Sequence, residues 1–181
     1  MLPDVLPEDP IEALMAGYQQ GDGERTRALI ERVSPPLYRF FLAQVRSRRD
    51  ADDLLQETWM RIHQARHTFR PGQPLLPWVY AIARHIRIDH YRRSLRAEAR
   101  EVQVETLPDP PAPAGRASGA DLSAILGDLP ESQREVLVML KVSGMSLEEV
   151  ARATSSSVGS VKQKAHRAYR KLRGVLRGDG A

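Results

Sequence analysis

The chain has no cysteine among its 181 residues, which excludes disulfides, thiolate metal sites, a cysteine nucleophile and direct thiol-based redox sensing. It has no run approaching the ~18–20 apolar residues of a membrane-spanning helix. Its start, "MLPDVLPEDP", lacks the basic segment and apolar stretch of a signal peptide, so a cytoplasmic location is expected. It has no sustained alternation rich in β-branched residues, so no strands are expected. What remains, 41% hydrophobic and 28% charged, is the composition of a folded soluble protein.

Charge is not evenly spread. The net charge is +4, and the basic residues crowd two later segments, while "DADDLLQETW" at residues 50–59 holds four acids. The basic segments suit a polyanionic partner, and the acidic one suits something else.

From residue 10 to residue 100 the pattern is helical, with turn signals at "GDGE", "SPP" and "FRPGQP". Pro35 and Pro36 are expected to start a new helix, because proline is tolerated in a helix's first turn. At residues 102–120, "VQVETLPDPPAPAGRASGA" reads as a flexible, partly extended linker. Helical periodicity returns over residues 121–177. The expected architecture is all-α: two small helical domains joined by a Pro/Ala/Gly-rich linker, the second a helix-turn-helix, after a tail at 1–10.

In the acidic segment Asp50 can cap a helix, with Asp53 imitating a capping box, and Asp50 and Asp52 suit the positive end of the helix dipole. At 100° per residue Ala51, Leu55, Trp59 and Ile62 form the expected core face, and Asp53, Gln56, Glu57 and Met60 the opposite one. Carboxylates, an amide and a thioether together suit a basic protein surface with some apolar contact.

The next helix, within "PLLPWVYAIARHIRIDHYRRSLRAEAR", places Pro77 at its start and turns Leu75, Val79, Ile82 and Ile86 to the core. Arg84, Arg87 and Tyr91 fall on another side, with Arg92, Arg93 and Arg96 beyond them. Arginines attract phosphate and interleaved rings can stack on unpaired bases. The alternative is a solvated basic face with Tyr91 and Trp78 in the core, and for Trp78 the core is the expectation.

The most specific pattern is "MSLEEVARATSSSVGSVKQKAHRAYRKLR". Ser146 and Glu149 have capping-box spacing, "TSSS" makes a tight turn, and Ser157 can cap the next helix. There Val161, Ala165, Ala168 and Leu172 form a narrow buried stripe, and Lys162, Gln163, Lys164, His166, Arg167, Arg170, Lys171 and Arg173 cover the rest. No acid occurs between Glu149 and Asp179. A short helix, a tight turn and a Gln/Arg-bearing helix is the geometry that enters a major groove, where Arg pairs with guanine and Gln with adenine.

Two segments, in order, carry a family resemblance. "DADDLLQETWMRIHQARHTFRPGQPLLPWVYAIARHIRIDHYRR" resembles the second domain of the extracytoplasmic-function sigma factors, and "LPESQREVLVMLKVSGMSLEEVARATSSSVGSVKQKAHRAYRKLR" resembles their fourth. The resemblance implies sigma domain 2 at 11–101 and sigma domain 4 at 121–177. It implies a bacterial initiation factor that binds core RNA polymerase, through a coiled coil of the largest catalytic subunit and the flap, and promoter DNA. By resemblance, Asp53, Leu54, Gln56, Glu57 and Met60 contact polymerase. Phe69, Arg70, Trp78, Arg84, His85, Arg87, Tyr91, Arg92 and Arg93 recognise and open the −10 element. Ser160, Lys162, Gln163, Lys164, His166, Arg167 and Arg170 engage the −35 element. An anti-sigma factor, often membrane-bound in this family, is a further implied partner. The chain departs from the family at His85, often Asn in other members, and at Thr154 and Ser155, where many have Leu-Gly. Ser155 is strained if the turn keeps a positive φ.

Catalysis is not expected, and no cofactor or metal is implied. His63 and His67 in "HQARH" share a helix face but lack the Glu of a zinc-protease helix, and His85, Asp89 and His90 lack a nucleophile. The rival is a helix-turn-helix regulator that acts without joining polymerase. The acidic face and basic-aromatic helix upstream of the helix-turn-helix argue against it.

Overall fold

The computed structural model describes residues 9–45, 47–101 and 126–176. Among the described residues there are seven α-helices and no strand. The linker expected at 102–120 lies outside them, as do most of the expected N-terminal tail and the start of the second expected domain.

Helix α1, Ile11–Gln19, buries Leu14 and Met15. Asp22 then caps α2, Gly23–Leu42, its side chain accepting from the Glu24 and Arg25 amides at 3.0 and 3.1 Å. Leu29, Val33, Leu37 and Phe40 follow at helical spacing and are all buried, each such side chain contributing about 1.5–3 kcal/mol. Pro35 and Pro36 do not start a helix, as their sequence suggests; both lie inside α2. The carbonyls that lose a backbone donor to them belong to Glu31 and Arg32, both exposed, where solvent can take the missing donor's place.

Helix α3 is Arg48–Ala65, and a 3₁₀ turn, Arg66–Thr68, closes it. Its cap is Ser47, whose hydroxyl accepts from the Asp50 amide at 3.0 Å. Asp50 is thus a first-turn acid and not the cap, and Asp52 lies beyond the first turn. Helix α4, Leu75–Glu101, has its first amide capped from far along the chain: Glu12 of α1 accepts from Leu75 N at 3.1 Å. Pro77 falls in the first turn, where no donor is needed. Phe40 of α2 meets Tyr80 of α4 edge-on, ring centroids 5.3 Å apart.

The second unit comprises α5, Glu131–Lys141, α6, Leu147–Ala153, and α7, Val158–Leu176. Gly144, at φ 67, makes the turn from α5 to α6. Both units share a single continuous hydrophobic core. Helix α6 packs on α4 as well as on α7, and α5 touches α2. The two halves therefore meet face to face.

Candidate nucleic-acid and protein interfaces

Helix α3 lies between α2 and α4, and this fixes which of its faces stays open. Ala51, Leu54, Thr58 and Ile62 are buried, whereas Leu55 and Trp59 are half-buried. The core stripe is rotated from the one expected by periodicity. Thr58 can be buried because its hydroxyl donates to the Leu54 carbonyl at 2.7 Å, and Trp59 sits at the edge with its indole donating to Ser34 at 2.9 Å. Leu54 is 1% exposed, so its side chain does not share the polymerase-facing surface that the resemblance implied.

Asp53, Gln56 and Met60 are exposed, and Glu57 is half-buried. Glu57 accepts from Arg93 of α4 at 3.1 Å. Asp52 lies on the α2 side, near Tyr38, whose phenol is pushed above its ordinary value by burial and then by the Asp52 carboxylate. Beside the open face runs an apolar groove of about 590 Å³ lined by Ile30, Leu55, Gln56, Trp59 and Met60. Ile30 and Met60 are 40% and 59% exposed.

Helix α4 presents three faces. Leu75, Val79 and Ile86 enter the core of the first unit, with Ile82 half-buried beside them. A second face, with Trp78, His85 and Arg92, stays at the surface: His85 and Arg92 are exposed and Trp78 is half-buried. Phe69 is only 4% exposed and packs edge-on against Trp78 at 5.6 Å, so it supports that face from beneath and does not line it. Arg70, in the loop before α4, is exposed, as are Tyr91 and Arg93. Nδ1 of His85 is 2.8 Å from the Ala81 carbonyl. A carbonyl only accepts, so Nδ1 carries the proton there and neutral His85 offers Nε2 as an acceptor.

The third face of α4 meets the second unit. Tyr80 pairs with Ser143, and its phenol is pushed up to about 12, burial outweighing the lowering effect of the Ser143 hydrogen bond. Arg87 is 5% exposed and Arg84 is half-buried, both against acids of α5. In this conformation the Arg87 guanidinium is not open to DNA. Glu131 and Glu135, their partners, were not singled out in the sequence. Their signal was two acids four apart directly after Pro130, a pattern equally suited to a solvated helix start.

The helix-turn-helix forms as the spacing predicts. Ser146 accepts from the Glu149 amide at 3.1 Å while Glu149 accepts from the Ser146 amide at 2.8 Å. Ser155 takes φ 50, the left-handed conformation that disfavours a side chain, and Ser157 accepts from the Ser160 amide at 3.1 Å. Val161, Ala165 and Ala168 are buried, with Leu172 half-buried. Gln163, His166, Arg167 and Arg170 are exposed on the opposite side of α7, flanked by exposed Lys162 and half-buried Lys164 and Ser160.

Known proteins show the same order of parts. Residues 29–97 match Sigma-70 region 2, and residues 120–172 match Sigma-70, region 4. The chain is 34% identical over 176 residues to the ECF RNA polymerase sigma factor SigD of Mycobacterium tuberculosis, covering 90% of this chain and 82% of the relative. It is 30% identical over 168 residues to the RNA polymerase sigma factor CarQ of Myxococcus xanthus, covering 90% and 95%. Among solved structures, CnrH in complex with the cytosolic domain of CnrY superposes with a TM-score of 0.72 at 26% identity, covering 95% of this chain and 100% of that one. The sigma factor RpoE bound to the anti-sigma factor NepR from Bartonella quintana gives 0.65 at 26% identity, covering 88% and 96%.

Proposed function

The chain belongs to the ECF RNA polymerase sigma factors, and we propose that its two helical units divide promoter recognition between the −10 and −35 elements. It is a promoter-specific sigma factor of RNA polymerase. Core polymerase docks on the open face of α3, through Asp53, Gln56, Glu57 and Met60, with the adjoining apolar groove available to partner side chains. The first unit, 11–101, takes the −10 element on α4 and the loop before it. Trp78, His85 and Arg92, with Arg70 nearby in sequence, form the base-reading side. Arg84 and Arg87 neutralise phosphates once they are free to do so.

The second unit, 121–177, lays α7 in the major groove of the −35 element. Gln163, His166, Arg167 and Arg170 meet base edges, while Lys162, Lys164 and Ser160 meet the backbone. The observation that carries this reading is the exposure of those four side chains opposite the buried stripe of α7, in a chain whose two matched regions stand in sigma-factor order. An anti-sigma factor is the further partner, supported by the likeness to RpoE in its complex with NepR. The chain binds and positions without performing catalysis.

Mapping the DNA occupied by the tagged chain in cells, together with polymerase, tests this reading. The expected result is co-occupancy at transcription start regions that share paired −10 and −35 motifs. Occupancy away from start sites, without polymerase, would point instead to a regulator independent of the enzyme.

A further inference from the structure

Two arginines of α4 meet two acids of α5 across the seam between the halves. Arg84 Nε lies 3.1 Å from Oε1 of Glu135. Arg87 reaches Oε1 of Glu131 with Nη1 at 2.5 Å and Oε1 of Glu135 with Nη2 at 3.5 Å. The side chains of Arg87 and Glu135 are each 5% exposed. Glu131 and Glu135 stand one helical turn apart, as do Arg84 and Arg87, so the pairs face each other as short charged strips. Around them Tyr80 bonds Ser143, and Arg134 donates to the Ala43 carbonyl at 3.2 Å.

This seam collects unmet polar groups. Among the described residues, the buried side-chain nitrogens and oxygens without a hydrogen bond are Arg84 Nε, Arg87 Nε and both amide atoms of Gln44, which adjoins Ala43. Arg84 Nε is at ion-pair distance from Glu135, yet its N–H is not aligned for a hydrogen bond. For the buried pair, Arg87 and Glu135, desolvation offsets much of the attraction when the bonding is incomplete.

We propose that Glu131 and Glu135 form a self-inhibiting latch, holding Arg84 and Arg87 in the place that −10 phosphates would take. The latch rests on the reading of α4 as the −10 helix. Guanidinium groups bind carboxylate and phosphate through the same planar set of donors, so the two occupants exclude each other. The base-reading face, with His85 and Arg92, stays outside the seam. The latch therefore lowers DNA affinity without changing base preference. A partner that holds the two halves apart releases the arginines.

The test uses the full chain with donor and acceptor dyes on Glu24→Cys and Arg173→Cys, which are unique sites because the chain has no other cysteine. Energy transfer reports closure, and a fluorescein-labelled single-stranded oligodeoxynucleotide of random sequence, added to undyed protein, reports affinity. Glu131→Gln/Glu135→Gln is expected to lower transfer and tighten oligonucleotide binding about tenfold, the gain when a minor competent state becomes the major one. Glu131→Gln alone, altering a half-exposed side chain, gives a smaller gain of the same sign. Asp128→Asn/Glu148→Gln, with the same change in net charge at exposed positions, moves neither signal. Adding Arg84→Ala/Arg87→Ala removes the gain. Transfer and affinity that match the charge control would overturn the latch, while the −10 reading survives if Arg84→Ala/Arg87→Ala still weakens binding. Transfer that falls with no gain in affinity, and no effect of the arginine substitutions, would overturn the role of these arginines at the −10 element and the latch with it.

Discussion

The imidazole of His85 donates through Nδ1 to the Ala81 carbonyl one turn behind it, at 2.8 Å, so that in the neutral ring Nε2 at the exposed end is an acceptor. An asparagine there would offer both a donor and an acceptor. The wild-type chain is therefore expected to favour an unpaired base with an exocyclic amino group, and His85→Asn to change that preference by ~1–3 kcal/mol. Competition among single-stranded −10 oligonucleotides that differ at one base checks this. An unchanged ranking would place His85 outside the base contact.

Asp53 makes no ion pair among the described residues, whereas Glu57 is paired with Arg93. Asp53→Lys is thus the cleaner probe of the proposed polymerase-docking face. It is expected to weaken core binding by about tenfold or more, roughly 1.4 kcal/mol, since it sets a like charge against a basic partner surface. Helicity by circular dichroism should be unchanged. Loss of helicity would return the acidic segment to helix-start chemistry.

Ser155 holds φ 50 in the tight turn between α6 and α7. Ser155→Gly relieves a left-handed strain of about 1–2 kcal/mol and adds freedom to the unfolded chain, for a net stabilisation of ~0.5–1 kcal/mol. A higher urea midpoint at unchanged slope is the expected outcome. A lower midpoint would mean that the Ser155 side chain contributes more than the strain removes.

Tyr80 gives the fold a pH dependence. Burial raises its phenol from 10.0 to about 12, so the folded state holds the proton more tightly than the unfolded chain. The associated stability is fully present below pH ~10 and is lost as pH rises through the raised value. Absorbance titration of the five tyrosines should show one ionising last, together with loss of tertiary structure, and Tyr80→Phe should remove that step. Five tyrosines titrating together with helicity retained would contradict it.

Local rules carried the reading furthest where a helix depends on its own residues. The Ser146–Glu149 capping box, the Ser157 cap and the Val161–Ala165–Ala168 stripe are short-range patterns, and all formed as spacing predicted. The rest depended on neighbours distant in sequence. On α3 the buried face turned toward Leu54 and Thr58 because α2 and α4 flank the helix, and a threonine that bonds its own backbone can be buried like an apolar residue. Pro35 and Pro36 continue a helix because their orphaned carbonyls lie on its exposed side. Phe69, which the resemblance implied among the −10-recognising residues, is buried beneath Trp78 through a contact that no local pattern announces. Arg87 and Glu135 are 48 positions apart, and no local pattern announces that pairing.

Whether the chain directs initiation is decided by promoter-specific transcription with purified core polymerase, with and without it. Start sites are expected that appear only when the chain is added, at promoters occupied by it in cells, and that weaken with Asp53→Lys. Start sites identical in its presence and absence would contradict this role.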